Sequence, residues 1–203
     1  MKYIGIEGCI GVGKTTVATL LASSIKNASI LLEDFGNHPF LSDFYSDTKY
    51  TFESEMGFLL IHYHQLFKLM GEQPEIIVSD YFFEKDRLFA DANILSEKEM
   101  DIFMQLYDYL RGRLLYPDAI ICLTGTTDLI YSRVVSRGRE IERNISYDYI
   151  NKINGHYETF FSGLRERFCT INVDMNENDF VKEPDRIGAL LRELEKLGVL
   201  GTV

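Results

Sequence analysis

One octapeptide near the start of the chain constrains its fold more than any other segment. Residues 8–15, GCIGVGKT, match every fixed position of the phosphate-loop motif G-x-x-x-x-G-K-[ST] and follow the short apolar run 3–6. In such a loop, glycines let backbone N–H groups turn inward around phosphate oxygens. Lys14 would neutralise phosphate charge, and the Thr15 hydroxyl could ligate Mg²⁺. The octapeptide therefore predicts a strand, a phosphate-binding loop and a helix; a chance glycine turn is the alternative.

The helix predicted after the loop, residues 14–26, supports an anion site because its N-terminal dipole favours negative charge. The phosphate donor that such a loop indicates is ATP, whereas the loop carries no information about the acceptor. We expect nine consecutive residues to bind ATP: Gly8, Cys9, Ile10, Gly11, Val12, Gly13, Lys14, Thr15 and Thr16.

Length and charge restrict the possible functions. The 203 residues fit one domain, 1–203, and the formal net charge of -10 argues against nonspecific binding to nucleic acid or anionic membrane. The three cysteines show no C-x-x-C spacing, which favours a reducing cytoplasm. No apolar stretch approaches the roughly 18 residues needed to span a bilayer, and the four histidines lack zinc-like pairing.

Short apolar runs alternate with helical patterns along the chain. This alternation predicts an α/β fold with a parallel sheet covered on both faces. The predicted helices between and after the strands are 50–70, 97–114, a helix capped at 126–128 and ending near 136, and a last helix from Pro184 to about 198. The predicted strands are 3–6, 29–32, 76–79, 119–123 and 168–173.

Two carboxylates lie just after predicted strands, where ligands collect in open α/β sheets. Glu33 follows the second run, and Asp80 ends the third, IIVSD. Asp80 after an apolar strand is typical of a residue that holds Mg²⁺ together with Thr15. A capping aspartate is the alternative for Asp80.

Arginines are concentrated between residues 133 and 143. Arg133 and Arg137 lie one helical turn apart, and Arg139 follows the helix break at Gly138. Planar guanidinium groups suit the charge that develops in phosphoryl transfer, so this segment predicts a cationic, hinged lid. The alternative is a solvated helix end whose basic residues complement the helix dipole.

Taken together, these residues make the chain similar to the deoxynucleoside kinases, and within them to the bacterial purine deoxynucleoside kinases. The resemblance covers almost the whole chain. It depends on the order and the spacing of several short motifs. These are IEG before the loop, Glu33 followed by NHPFL at 37–41, Phe44-Tyr45, the helix around Glu55, Asp80, and RGR at 137–139 with Glu142.

The resemblance implies a three-layer P-loop kinase fold with a five-stranded parallel sheet flanked by helices, and a homodimer formed through the long helices. It also implies that Glu33 accepts the proton of the nucleoside 5'-hydroxyl, as a positioned base. Tyr45 and Glu142 match the pair that holds the 3'-hydroxyl. The lid, about 137–145, would act with Arg133 before it, and Phe180 falls in the segment that packs on the donor adenine. A core phenylalanine is the alternative for Phe180.

The chain departs from the family where Asp80-Tyr81-Phe82 stands in place of an acid followed by Arg and Ser or Thr. An arginine expected near the transferred phosphoryl group is therefore missing. Lys85 could replace its charge; an exposed lysine is the alternative.

A second departure concerns the nucleobase. Most members carry glutamine at the position of Glu55 and arginine at that of His62. A carboxylate only accepts hydrogen bonds, so Glu55 favours guanine, which presents adjacent N1–H and N2–H donors. Asp86 matches a position near the base edge; it either suits an amino group or keeps His62 protonated so that His62 donates toward O6. Alternatively, Glu55 and His62 form a pair on the helix surface at a dimer or solvent face.

The sequence thus predicts a cytoplasmic kinase that uses Mg²⁺ and ATP to phosphorylate a small-molecule deoxynucleoside, deoxyguanosine first, for nucleotide salvage. The alternatives are a deoxyadenosine or deoxycytidine kinase, a nucleoside-monophosphate kinase of the thymidylate type, and a P-loop regulatory NTPase that phosphorylates nothing.

Overall fold

A computed structural model describes residues 1–46 and 50–201. Its elements, in chain order, are β1 (Lys2–Glu7), α1 (Lys14–Ser24), β2 (Ala28–Leu31), α2 (Leu41–Ser46), α3 (Thr51–Gly71), β3 (Ile76–Ser79), α4 (Lys85–Asn93), α5 (Glu97–Arg111), β4 (Ala119–Thr124), α6 (Thr127–Arg137), α7 (Tyr147–Arg167), β5 (Thr170–Asp174) and α8 (Ile187–Lys196). Short 3-10 turns at Glu140–Glu142 and Pro184–Arg186 precede α7 and α8.

The five strands form one parallel sheet in the order β2-β3-β1-β4-β5, which confirms the predicted five-stranded parallel sheet. In the register of the sheet, Gly5 of β1 lies opposite Ser79 of β3 and Ile120 of β4. β1 is therefore the central strand. Because β2 and β3 are hydrogen-bonded neighbours, the residues that follow them emerge beside the loop that follows β1.

The core consists of two groups of buried side chains, one on each face of the sheet. Successive side chains of a strand point to opposite faces, and Ile4 belongs to the first group whereas Tyr3 belongs to the second. The first group also takes side chains from α1, α6, α7 and α8, and the second from α3 and α5. Helices thus cover both faces, as the predicted three-layer fold requires.

Several boundaries differ from the sequence prediction. The last strand begins at Thr170 and not at Phe168, because α7 extends to Arg167 and Phe168 is its C-cap residue. The last helix begins at Ile187, since Pro184 opens a 3-10 turn first. The predicted cap of α6 is present: the Thr126 hydroxyl accepts a 3.3 Å hydrogen bond from the Leu129 amide.

The sequence patterns did not delimit α2, α4 or α7. In α4 the reason is visible, since the buried face includes the charged residues Lys85 and Asp86 beside apolar ones, and this breaks the apolar repeat on which helix prediction depends. Within the described part of the chain, no helix has both the length and the apolar character needed to cross a bilayer.

Candidate active site

The phosphate loop lies between the central strand β1 and α1. Gly11 and Gly13 have φ of 85° and 118°, values that side-chain-bearing residues rarely adopt. Gly11 also lacks room for a side chain, since an added Cβ would lie 2.5 Å from Val134 Cγ2 on α6. The octapeptide therefore forms the strand, loop and helix that its spacing predicts, with α1 beginning at Lys14.

Lys14 folds back over this loop. Its Nζ donates to the carbonyl oxygens of Gly8 and Cys9 at 2.7 and 3.2 Å. Burial and the nearby charge of Lys85 lower the pKa of Lys14. The ammonium group is thus a desolvated cation beside the loop glycines.

Asp80 connects the phosphate loop to the end of β2. Its Oδ2 accepts from the Thr15 hydroxyl at 2.6 Å, and its Oδ1 accepts from the Glu33 amide at 2.7 Å. These oxygen atoms are of the type that Mg²⁺ prefers. Among residues 1–46 and 50–201, no cluster of three or more acidic, histidine or cysteine residues could hold a metal alone, so Mg²⁺ would complete its shell with phosphate and water oxygens.

The carboxylate of Glu33 is held by two cations. Lys85 Nζ lies 2.5 Å and His62 Nε2 lies 3.2 Å from the same oxygen, Oε1. Burial raises the pKa of Glu33, but the Lys85 charge and the His62 contact outweigh burial and hold it well below its usual range. The alternative of an exposed Lys85 is wrong, because the residue is 5% exposed.

His62 lies behind this carboxylate, stacked on the Tyr81 ring with centroids 4.3 Å apart. Its Nδ1 faces Asp86 Oδ1 at 2.7 Å. Burial lowers the pKa of His62, but the two carboxylates outweigh burial and raise it to about 9. The prediction that Asp86 keeps His62 protonated agrees with this geometry, whereas donation by His62 to a base oxygen does not, since both ring nitrogens face carboxylates.

A cavity of about 560 Å³ extends from the phosphate loop over Glu33 to α3 and α4. Most of the predicted site residues line it: Ile10, Gly11, Gly13, Lys14, Thr15, Thr16, Glu33, Tyr45, Glu55, Asp80, Lys85, Asp86, Arg133, Arg137, Arg139, Glu142 and Phe180. Four predicted residues do not: Gly8, Cys9 and Val12 are in the loop interior, and His62 is fully buried.

The sequence analysis missed much of the apolar wall of this cavity. Phe35, Phe58, Phe89 and Tyr149 line it, and no motif in the sequence marks them. A ligand with a flat, apolar ring fits such walls, because aromatic side chains stack on rings. Phe58, Phe89 and Tyr149, on α3, α4 and α7, form the aromatic end of the cavity, whereas the Phe35 ring lies 4.1 Å from the Arg139 guanidinium. Apolar walls with a few polar groups are typical of small-molecule sites.

At the aromatic end, Glu55 and Asp86 are both 2% exposed. Glu55 Oε1 accepts from the Asn93 amide at 2.9 Å, and the same amide donates to the Tyr149 hydroxyl at 3.2 Å. Glu55 and His62 are therefore not a pair on the helix surface, and that alternative is wrong. Asn93, at the end of α4, is a further residue that the sequence analysis did not identify.

The arginine-rich segment lies on the far side of the phosphate loop. Arg133 donates to the Val12 carbonyl at 2.7 Å, which fixes α6 to the loop. α6 ends at Gly138, whose φ of 62° is left-handed. On either side of Gly138, Arg137 and Arg139 both contact the Glu142 carboxylate, at 2.5 and 3.4 Å. Glu142, matched to the 3'-hydroxyl, thus holds two lid arginines.

Two of the residues predicted to contact a ligand, Tyr45 and Phe180, have aromatic side chains. Tyr45 packs at 5.3 Å between ring centroids against Phe44 and lines the cavity. Phe180 is 3% exposed and belongs to the core, yet it also lines the cavity. The description of Phe180 as a core residue is therefore correct, and its packing on the donor adenine stays a prediction.

Glu7 is a buried residue that connects the elements around the site. Its carboxylate accepts from the Gly8 amide at 3.2 Å, the Tyr157 hydroxyl at 3.0 Å and the Phe82 amide. These bonds join β1 to the segment after Asp80 and to α7. The loop and the Asp80 segment are thereby fixed relative to each other.

Comparison with known proteins agrees with this geometry. A family model described as deoxynucleoside kinase matches residues 4–198. The chain is 31% identical to the deoxyguanosine kinase of Bacillus subtilis (strain 168), an alignment covering 95% of this chain and 97% of the relative. It is 26% identical to the deoxyadenosine kinase of Dictyostelium discoideum, over 94% and 78% of the two chains.

A further relative is the deoxyadenosine/deoxycytidine kinase of Bacillus subtilis, 26% identical over 96% of this chain and 95% of the relative. Among solved structures, a deoxyadenosine kinase from M. mycoides superimposes with a TM-score of 0.83 at 24% identity, covering 96% and 99% of the two chains. The latter likeness shows the fold. Because the family model matches nearly the whole length of this chain, the chain belongs to the deoxynucleoside kinase family and is an ATP-dependent nucleoside kinase.

Proposed function

We propose that this kinase transfers the γ-phosphoryl group of ATP to the 5'-hydroxyl of a purine deoxyribonucleoside, deoxyguanosine in preference to others, for nucleotide salvage. The observation that carries the proposal is the position of Glu33. Its carboxylate lies in one cavity with both the phosphate loop and the aromatic walls. A nucleoside stacked at the aromatic end would present its hydroxyl to that carboxylate.

The chemical steps follow from the residues present. Glu33 orients the 5'-hydroxyl and accepts its proton as the oxygen bonds to phosphorus, and ADP leaves with the electron pair of the broken P–O bond. The proton then passes to solvent. Lys14, Arg133, Arg137 and Arg139 offer positive charge to the phosphoryl oxygens in the transition state. Mg²⁺ held at Thr15 and Asp80 would supply further charge neutralisation to the phosphates.

Lys85 takes the place of the missing arginine in this scheme. It is the first residue of α4, and its ammonium group reaches Glu33 from outside the Asp80-Tyr81-Phe82 segment. Lys85 and Lys14 line the same cavity, so in this proposal both act on the same phosphates. A residue five positions along the chain would thus supply the absent cation.

Other assignments complete the proposal. Tyr45 and Glu142 bind the 3'-hydroxyl, Phe180 packs on the ATP adenine, and residues 1–203 work as one kinase domain in the cytoplasm. A homodimer would form through α3 and α5, which carry apolar side chains that are 42 to 64% exposed: Leu60, Phe67, Ile102 and Tyr109. Covering such a patch with a second copy removes apolar surface from water.

Deoxyguanosine is preferred in this proposal for two reasons. When ionised, Glu55 places an acceptor-rich group at the aromatic end, and the relative with 31% identity is a deoxyguanosine kinase. The relatives that act on deoxyadenosine and deoxycytidine make these the second candidates. A nucleoside-monophosphate acceptor is disfavoured because its phosphate would meet the Glu33 carboxylate.

The test is ADP production from ATP and Mg²⁺ across a panel of deoxynucleosides and deoxynucleoside monophosphates. We expect deoxyguanosine to give the highest kcat/KM, with the 5'-monophosphate as product. Turnover only with monophosphates would indicate the thymidylate type of reaction. Slow ATP hydrolysis that no acceptor stimulates would indicate a regulatory NTPase and contradict the proposal.

A further inference from the structure

The buried carboxylates around the cavity differ in what neutralises them. Glu33 has Lys85 and His62, Asp86 has His62, and Glu142 has two arginines. Among the described residues, Glu55 has only the uncharged amide of Asn93, at 2.9 Å. Within residues 1–46 and 50–201, Glu55 is therefore the one of these acids whose negative charge lacks a cationic partner within bonding distance.

Burial makes this difference consequential. Glu55 is 2% exposed, and an ionised carboxylate that is removed from water without a cation is costly, so the group takes up a proton instead. Burial raises the pKa of Glu55 to about 8, and the like charge of Asp86 acts in the same direction.

Charged and titratable groups face Glu55 from the neighbouring helices. Lys85 and His62 act against burial, but their polar atoms are already directed at Glu33 and Asp86. The hydroxyl groups of Tyr45 on α2 and Tyr149 on α7 complete the surroundings, and both tyrosines interact with the Glu55 charge.

The second observation is an unsatisfied atom on Asp86. Its Oδ1 faces His62, whereas its Oδ2 is buried and has no hydrogen-bond partner in the part of the chain that the structure describes. Asp86 lines the same cavity as Glu55. Buried polar atoms are nearly always paired, so a ligand with a donor N–H fits this position.

A carboxyl group reads a base differently with and without a proton. With Oε1 occupied by Asn93, a neutral Glu55 can donate from Oε2 while Asp86 Oδ2 accepts. This donor–acceptor pair fits the N1 and 6-amino groups of adenine. It also fits O6 and N1–H of guanine, which present acceptor and donor in the reverse order, so guanine would bind with its base turned over. When Glu55 is ionised, its Oε2 and Asp86 Oδ2 are both acceptors; they fit the N1–H and N2–H donors of guanine and leave adenine N1 opposite a lone pair.

We propose that Glu55 is a proton-dependent base-specificity residue: its neutral form admits both purines, and its ionised form admits guanine alone. The inference rests on the proposed function, because it assumes that a purine base occupies the aromatic end of the cavity. Guanine is accepted in both protonation states of Glu55, whereas adenine is accepted only in the neutral state. Ionisation of Glu55 therefore raises the preference for guanine over adenine. The preference for deoxyguanosine over deoxyadenosine rises with pH.

The experiment compares kcat/KM for the two nucleosides between pH 6.5 and 8.5. Taking the ratio cancels pH effects on shared groups such as Glu33 and the phosphate loop. For the wild type we expect the ratio to rise roughly fourfold across this range, because with a pKa of about 8 the neutral form that admits adenine falls from nearly all molecules at pH 6.5 to roughly a quarter at pH 8.5. Glu55→Gln has no titrating proton, and its amide offers a permanent donor and acceptor. Its ratio is therefore expected to stay constant and low.

Glu53→Gln is the matched control, because Glu53 is an exposed glutamate on the same helix. It should retain the wild-type rise. Infrared difference spectra provide a direct measurement: the carbonyl stretch of a protonated carboxyl group should disappear with rising pH in the wild type and be missing in Glu55→Gln.

The outcomes separate this inference from the proposed function. A kinase that phosphorylates nucleosides with a pH-independent ratio, or a Glu55→Gln variant that keeps the rise, overturns the inference and leaves the kinase assignment intact. If no nucleoside is phosphorylated, the proposed function fails. The same pH comparison on nucleoside binding, together with the infrared titration, then decides the inference by itself.

Discussion

Lys85 Nζ lies 2.5 Å from Glu33 Oε1, across 52 positions of sequence. The contact joins the first residue of α4 to the segment after β2, at the point where both enter the cavity. Glu33 is thus held as an anion and in one position. Lys85 keeps its charge although it is buried, since burial lowers its pKa but the carboxylates of Glu33, Glu7 and Asp86 together outweigh burial and raise it.

Replacement of Lys85 tests whether it substitutes for the absent arginine. For Lys85→Met we expect kcat to fall on the order of 10²-fold, as when one positioned donor to a transition-state charge is removed. Arg87→Met is the control, because Arg87 lies on the same helix with its side chain 58% exposed, and it should leave kcat within a factor of two or so. Steady-state kinetics with saturating ATP measures both. An unchanged kcat in Lys85→Met would remove Lys85 from the transition state.

Glu33→Gln tests the proposed base. Turnover should fall by roughly 10² to 10⁴, the usual contribution of a positioned general base, while nucleoside binding is largely kept. Asp34→Asn is a suitable control, since Asp34 bonds Asn37 and does not line the cavity. The low pKa of Glu33 also predicts that protonation of this group does not lower the rate between pH 5 and 7. Near-normal turnover in Glu33→Gln would exclude the assigned role.

His62 makes the stability of the fold depend on pH. Its pKa is raised from 6.5 to about 9 in the folded chain, so the folded state binds the proton more tightly than the unfolded state. The resulting stability is fully present below pH 6.5 and is lost as pH rises through about 9. Urea titrations from pH 6.5 to 9.5 should show a falling free energy of unfolding. His62→Gln, compared over the same range, should show a shallower decrease; an equal slope would assign the effect to other groups.

The lid arginines can be tested by conserving charge while changing shape. Arg137 contacts both oxygens of Glu142 through one guanidinium nitrogen, Nη2. A planar guanidinium group has further N–H groups to offer phosphoryl oxygens in a fixed fork, which lysine lacks. Arg137→Lys should therefore lower kcat roughly tenfold or more. Arg143→Lys, at an exposed position in the same segment, is expected to behave as the wild type. Equal kcat values for the two variants would indicate that the lid arginines contribute only diffuse charge.

Much of the fold could be predicted because local patterns determine it. The octapeptide fixes a strand, a loop and a helix start, and each short apolar run became a parallel strand. Glu33 and Asp80 could be expected to meet, since the ends of neighbouring parallel strands lie at one edge of the sheet. The structure joins them through the 2.7 Å bond from the Glu33 amide to Asp80.

The helices between these strands were harder to delimit where charged side chains face inward. α4 is the clearest case: its buried Lys85 and Asp86 contact Glu33 and His62. An apolar repeat marks a helix that packs on a core, whereas a helix that lines a polar cavity lacks that repeat. Asn93 and Tyr149 were missed for the same reason, because their partners lie on other helices.

The sequence by itself thus determined the α/β class, the order of strands and helices, the phosphate loop and the candidate acids, because each depends on residues adjacent in the chain. Only the tertiary structure decided the partners of those acids. The packing of α4 against α3 and the end of β2 gave Glu33 a lysine and a histidine and gave Asp86 the same histidine. Among the described residues, it gave Glu55 only an amide. These partners, which neighbouring sequence does not specify, set the charge that each carboxylate presents to a ligand.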